Sequence, residues 1–223
     1  MGAHILKNYD DSLRSLKEDV IAMGALTLTA LGKSLSGLTK GDRALCEEVI
    51  DEDRIINSYE KNIDELGMSI LLRFNPVASD LRHVLSSLNI CRNLGRIGDH
   101  AVDIAKRVCE INRAVALDEV RLIEPLQAKV SQAVLKVITA YADLDEVVAR
   151  RVIKKDHKID DHYKALHKTL LQHITNQPET GESILNLVFI ADRLQRIAEL
   201  AVNIAEDLIF STSAQDIRHS SEI

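Results

Sequence analysis

Two stretches of this chain carry the same pattern. Leu88 to Ala105 (LNICRNLGRIGDHAVDIA) aligns without gaps on Val188 to Ala205 (VFIADRLQRIAELAVNIA), and eight of those eighteen positions are identical. A second correspondence pairs Asp42, Val49, Ile50, Asp53 and Asn57 with Asp145, Val152, Ile153, Asp156 and Asp160. The offset is 103 residues there and 100 at the first match, so one loop differs by three residues. A chain repeating at this period buries equivalent apolar faces twice, which restricts it to two similar units in tandem.

Each unit reads as three helices. In the first, Leu13, Leu16, Val20, Met23 and Leu31 recur at helical spacing between about Tyr9 and Thr39. Gly41-Asp42 breaks that helix, and Asp42 is placed to cap a second one ending near Phe74. Asn75-Pro76 reads as N-cap and first position of a third helix, continuing to about Asn112. Arg113 to Glu124 has weaker periodicity, and Pro125 opens a fourth helix. Asp145 caps a fifth, which runs to about His173. Asn176 to Gly181 (NQPETG) is a loop, and a sixth helix spans roughly Glu182 to Phe210. The expectation is an all-α fold of two tandem three-helix bundles with antiparallel helices, divided at 1–112 and 113–223. Aromatics at 3% and only three prolines agree with helix throughout.

Composition also excludes functions. A net charge of −6 is unsuited to binding nucleic acid, which rewards a basic face. Arg150, Arg151, Lys154, Lys155 and Lys158 alternate with Asp156, Asp160 and Asp161, and read as a solvated helix face. The N-terminal segment lacks the apolar core of a signal peptide. No uninterrupted apolar run approaches the ~18 residues that span a bilayer. Cys46, Cys91 and Cys109 form no CxxC pair, and suit small buried positions in a reducing compartment. A soluble, cytoplasmic protein without membrane insertion is expected.

Chemistry, if any, lies in carboxylates. Each repeat sets oxygen donors four residues apart on two helices: Asp53, Asn57, Asp99 and Asp103 in the first, Asp156, Asp160, Glu199 and Asn203 in the second. That spacing puts both donors of a pair on one helix face. Two such faces could offer oxygens to a hard cation, or could simply be solvated. Arg96 and Arg196 could neutralise them. The histidines at 157, 162, 167 and 173 wander around their helix, and no Glu-x-x-His supports a ferritin-like di-iron site. Phosphate-binding glycine loops, HExxH and GxSxG are all missing, so an enzyme is not expected.

Arg96-Ile97-Gly98-Asp99-His100-Ala101 resembles the PhoU family signature, a Glu-Arg-Ile-Gly-Asp core. Tyr9-Asp10 with Leu13, Leu16 and Met23 resembles that family's opening helix. Ala78 to Arg82 after Pro76 resembles the start of its third, and Gln215 to His219 a tail found in some members. The resemblance implies two three-helix bundles related by a pseudo-twofold. It implies a negative regulator of phosphate uptake and the phosphate-starvation response. Its partners would be the ATPase subunit of a phosphate ABC transporter, a sensor histidine kinase and a second copy in a homodimer. It further implies iron, zinc or manganese at the eight donors above, which leaves a metal-cluster bundle with a storage or enzymatic role as the alternative. This chain departs from the signature where Gly95 and Gln195 replace the leading Glu, and where Ala198-Glu199 replaces Gly-Asp. Each implied site has thereby lost a carboxylate, which weakens its hold on a hard cation.

Overall fold

The computed structural model describes residues 2–111 and 117–217. Helices α1 (Gly2–Lys40), α2 (Arg43–Phe74) and α3 (Ala78–Glu110) form the first unit. A short helix α4 (Leu117–Arg121) leads into α5 (Glu124–Asp143), α6 (Glu146–Asn176) and α7 (Gly181–Ser213), with a 3-10 turn at Pro178–Thr180. The described residues contain no strand. The expected division at 112/113 and the end of the tail, Arg218-His219, lie outside the described residues.

The turns within the units are built alike. Asp42 accepts from the backbone N–H of Ala44 and Asp145 from that of Val148, so both sequence-assigned caps hold. Ahead of each cap one residue is left-handed, Gly41 at φ 65° and Leu144 at φ 54°. The N–H of Asp42 reaches Gly37 O at 2.9 Å, and that of Asp145 reaches Ala140 O at 2.8 Å. These are Schellman closures, in which the residue past the left-handed one ties back to the last helical turn. At Leu144 the conformation carries a steric cost of about 1–2 kcal/mol that glycine avoids.

At the α2–α3 connection the structure corrects the sequence reading. Asn75 ends α2 in the left-handed region (φ 46°), its N–H on Leu71 O, and α3 begins only at Ala78 behind Val77. Proline disfavours right-handed helix in the residue before it, and asparagine tolerates the left-handed alternative. Asn75 is therefore a C-cap, not an N-cap.

α2 packs on α1 and α3, and α6 on α5 and α7. The units join where α3 meets α7 and α1 meets α5. Leu94, Ile97, Ala101, Ile104 and Ala105 of α3 are buried, as are their repeat partners Leu194, Ile197, Ala201, Ile204 and Ala205 of α7. The alanines at matching positions permit close approach of the two helices. Ser34 donates to Ala101 O at 2.8 Å and so stays satisfied inside this core. Cys46 and Cys91 are buried as expected, and Cys109 is half-buried.

One stretch is more apolar than the search for an unbroken run implied. Within Lys7–Lys40 an 18-residue window has a mean hydropathy of 1.3 and passes by length and composition as a membrane span. Half of that window is buried inside the bundle, as a core helix would be.

Candidate functional site: repeated carboxylates and the seam

In the first unit the α2–α3 groove collects Asp53, Asn57 and Asp99. Asn57 Nδ2 donates to Asp53 Oδ2 at 2.8 Å, while the buried Asp53 Oδ1 has no hydrogen-bond partner. Partial burial, with the Asp53 and Asp103 carboxylates nearby, raises the Asp99 carboxyl above the ordinary range. Asp103 turns instead to the seam. Its Oδ2 lies 3.2 Å from Arg193 Nε of α7 and 3.9 Å from His100 Nδ1.

The second unit repeats this with changes. Gln195 donates its amide to Asp160 Oδ1, which ties α7 to α6. Asp156 Oδ1 is buried without a partner, matching its counterpart Asp53. Burial, and then Asp160 and Glu199, push the Asp156 carboxyl up. Glu199 is paired with Arg196 at 2.7 Å. Asn203 leaves the carboxylates and lines a cavity of about 540 Å³ at the seam, with Arg92, Asn93 and Arg96 of α3 and Asp207 of α7. The Asn89 and Asn93 amides each donate to Asp207 at 3.3 Å across that seam. The structure thus brings together Asp53, Asn57 and Asp99, and separately Asp156, Asp160 and Glu199. It sends Asp103 and Asn203 to the interface between units.

Sequence reasoning missed Glu60. A Cβ at Gly95 would stand 2.6 Å from Glu60 Oε2, so the α2 carboxylate reaches the place where the signature's glutamate is absent. Burial, Asp64 and Asp99 raise the Glu60 carboxyl, against Arg92 and Arg96 which lower it. The available signal was spacing: Glu60 follows Asp53 by seven residues on one helical face. Its counterpart 103 positions on is Tyr163, which donates to Asp192 at 2.8 Å.

These donors match a hard cation in chemistry: oxygen ligands, raised carboxyls at Asp99 and Asp156, and a buried carboxylate oxygen without a hydrogen-bond partner at both Asp53 and Asp156. Their arrangement falls short. Among the described residues no three or more His, Cys, Asp or Glu side chains are grouped so as to hold a metal ion.

The comparisons agree in family. The PhoU domain model matches residues 20–108 and again 123–208. The chain belongs to the PhoU family. It is 31% identical over 214 residues to the phosphate-specific transport system accessory protein PhoU homolog of Xylella fastidiosa (strain 9a5c), covering 96% of this chain and 90% of that relative. The Pseudomonas aeruginosa homolog is 32% identical over 220 residues, with 97% and 90% covered. The crystal structure of PhoU from P. aeruginosa superposes with a TM-score of 0.87 at 30% identity, over 93% of this chain and all of that one. The phosphate transport system regulatory protein PhoU from Streptococcus pneumoniae gives 0.86 at 26%, over 93% and 98%.

The raised Asp156 carboxyl makes a stability prediction. Its stabilising effect is complete below the unfolded value of 3.8 and is lost as pH rises through the higher folded value. Asp156→Asn is expected to raise the unfolding free energy at pH 7 by about 1 kcal/mol, because it removes an incompletely paired buried charge. The gain should shrink towards zero near pH 4 in urea melts. A loss of stability at pH 7 would show that the carboxylate has a partner in solution.

Proposed function

We propose that this chain is a non-catalytic accessory protein of phosphate-specific transport that restrains phosphate uptake and the phosphate-starvation response. In this reading it is an adaptor in the cytoplasm between the ATPase subunit of a phosphate ABC transporter and a sensor histidine kinase, and it works as a homodimer. The observation that carries the reading is agreement over the full length of both repeats. Relatives named as accessory proteins of that transport system are covered over about 90% of their own length. An adaptor also needs contact surface. The α2–α3 turn exposes Met68, Leu72 and Val77, the last two to about 75%. A metal-cluster bundle with a storage or enzymatic role has less support, because its donors are not grouped around one point.

Deleting the gene, in a strain with no second copy, tests the reading in high phosphate. Phosphatase activity is expected to rise to the level of starved cells and to fall again when the intact gene is returned. Activity that stays low after deletion would end the proposal.

A further inference from the structure

The groove between α5 and α6 gathers Lys129, Lys136, Arg151, Lys155 and Lys158 around a space of about 380 Å³. Its apolar lining includes Ala133, Val148, Val152 and Ile159. Among the described residues, none of these five cations forms an ion pair or a side-chain hydrogen bond, while Lys33 in the other unit forms two ion pairs. Of the α6 carboxylates next to these cations, Asp156 and Asp160 face Gln195 and Glu199 of α7, and Asp161 lines a separate depression beside Leu122 and Leu126.

The repeat supplies an internal comparison. At the offset of 103, Lys136 corresponds to Lys33, Arg151 to Glu48 and Lys155 to Glu52. In the first unit Lys33 Nζ lies 3.0 Å from Glu48 Oε2 and 2.7 Å from Glu52 Oε2. The second unit keeps the lysine and replaces both of its partners with cations. It adds two more, Lys129 and Lys158, where the first unit has Leu26 and Ile55. One cation neutralised by two carboxylates has become five cations with none. A chain of net charge −6 has carboxylates to spare, so this concentration is not a matter of composition. Like charges so placed oppose folding unless anions lie among them.

The shape of the groove selects the anion. Lys129 to Lys136, and Arg151 to Lys158, each span two helical turns, so the charges stand in two rows about 10 Å long. The volume is that of a small-molecule site, about 300–1,000 Å³. A partner helix about 10 Å across would occupy roughly 800 Å³ over the same length. Phosphate groups joined in a chain carry one to two charges each and offer several acceptor oxygens to ammonium and guanidinium donors.

We propose that the α5–α6 groove binds a small ligand carrying a chain of two or more phosphate groups, held between the Lys129–Lys136 and Arg151–Lys158 rows. The proposal stands apart from the transport reading, since it rests on this groove alone. Calorimetric titration of the full chain with tripolyphosphate and with ATP tests it. Saturable one-to-one binding that weakens steeply with salt is expected for at least one of them. Equal affinities would assign recognition to the phosphates; tighter ATP would place the base on the apolar lining.

The decisive variant is Arg151→Glu/Lys155→Glu, which gives Lys136 the partners that Lys33 already has. It should fold with a melting temperature at or above the parent's, because anions then lie among the cations, and lose about 100-fold or more in affinity, since two charge-assisted contacts become repulsive. Absence of saturable binding by both probes at millimolar concentration would overturn the proposal. So would unchanged affinity in the double variant, or binding of a poly-glutamate peptide where neither phosphate probe binds.

Discussion

Ile197→Ala is expected to remove about 3–4 kcal/mol of stability and to bring the first repeat down together with the second. Ile197 is fully buried, as is Ile97, its counterpart in the repeat. Truncating such a side chain loses its transfer free energy and leaves a cavity that the surroundings only partly close. The cost extends beyond α7 because the buried side chains of both units belong to one cluster. α3 and α7 each contribute a full face to it, and Asp207 is hydrogen-bonded to Asn89 and Asn93 across the join. Helix-resolved hydrogen exchange should show α2 and α6 losing protection together. Equilibrium unfolding followed by circular dichroism should show one transition, shifted to lower urea. If α1–α3 kept their protection, the units would be independent domains and the seam a docking contact.

How much of this was legible in the sequence follows from which contacts are local. Periodicity within a helix and capping by an adjacent aspartate are local, and Asp42, Asp145 and all six long helices were found from them. Asparagine suits both an N-cap and a left-handed C-cap, and at Asn75 the end of α2 took it rather than the start of α3. The carboxylate site was legible only in part. Four-residue spacing fixes which side of a helix a donor occupies, but not which neighbouring helix it meets. Asp103 therefore went to Arg193, and Asn203 to the seam cavity with Arg92 and Arg96. Glu60 was invisible because its relation to Gly95 exists only once α2 and α3 are packed. The α5–α6 groove was hidden for the same reason. Arg151, Lys155 and Lys158 read as a solvated face while Lys129 and Lys136, on another helix, were out of sight.

Divergence between the repeats is a second source of information, and it explains the groove better than either repeat alone. Where both copies keep a residue type, as at Asp53 and Asp156 or Ile97 and Ile197, the demand comes from the bundle they share. Where one copy reverses charge, as from Glu48 to Arg151, the bundle has no need of the change. The demand then comes from outside it.

The same comparison makes Gly37 the most informative single substitution for packing. Gly→Ala inside a helix ordinarily gains up to about 1 kcal/mol, because glycine loses more backbone freedom on folding. Here the sign is expected to reverse. A Cβ at Gly37 would overlap Cys46 Sγ and stand 3.0 Å from the carbonyl oxygen of Asp42, part of the turn that closes on Gly37 O. Cys46 is fully buried and has little room to swing away, so Gly37→Ala should cost about 2–3 kcal/mol, within the range for overpacked cores. In the second repeat the corresponding pair is Ala140 and Ala149, both buried, so a methyl on one helix is matched there by a missing thiol on the other. Adding Cys46→Ala to Gly37→Ala copies that pair into the first repeat. The double variant should recover to within about 1 kcal/mol of the parent, although Cys46→Ala alone leaves a cavity and costs about 1 kcal/mol. The resulting coupling, measured by urea unfolding around the double-mutant cycle, is the free energy of one methyl against one sulfur. Simple additivity would mean that the α1–α2 turn yields at Asp42, and that the two repeats are packed less alike than their backbones.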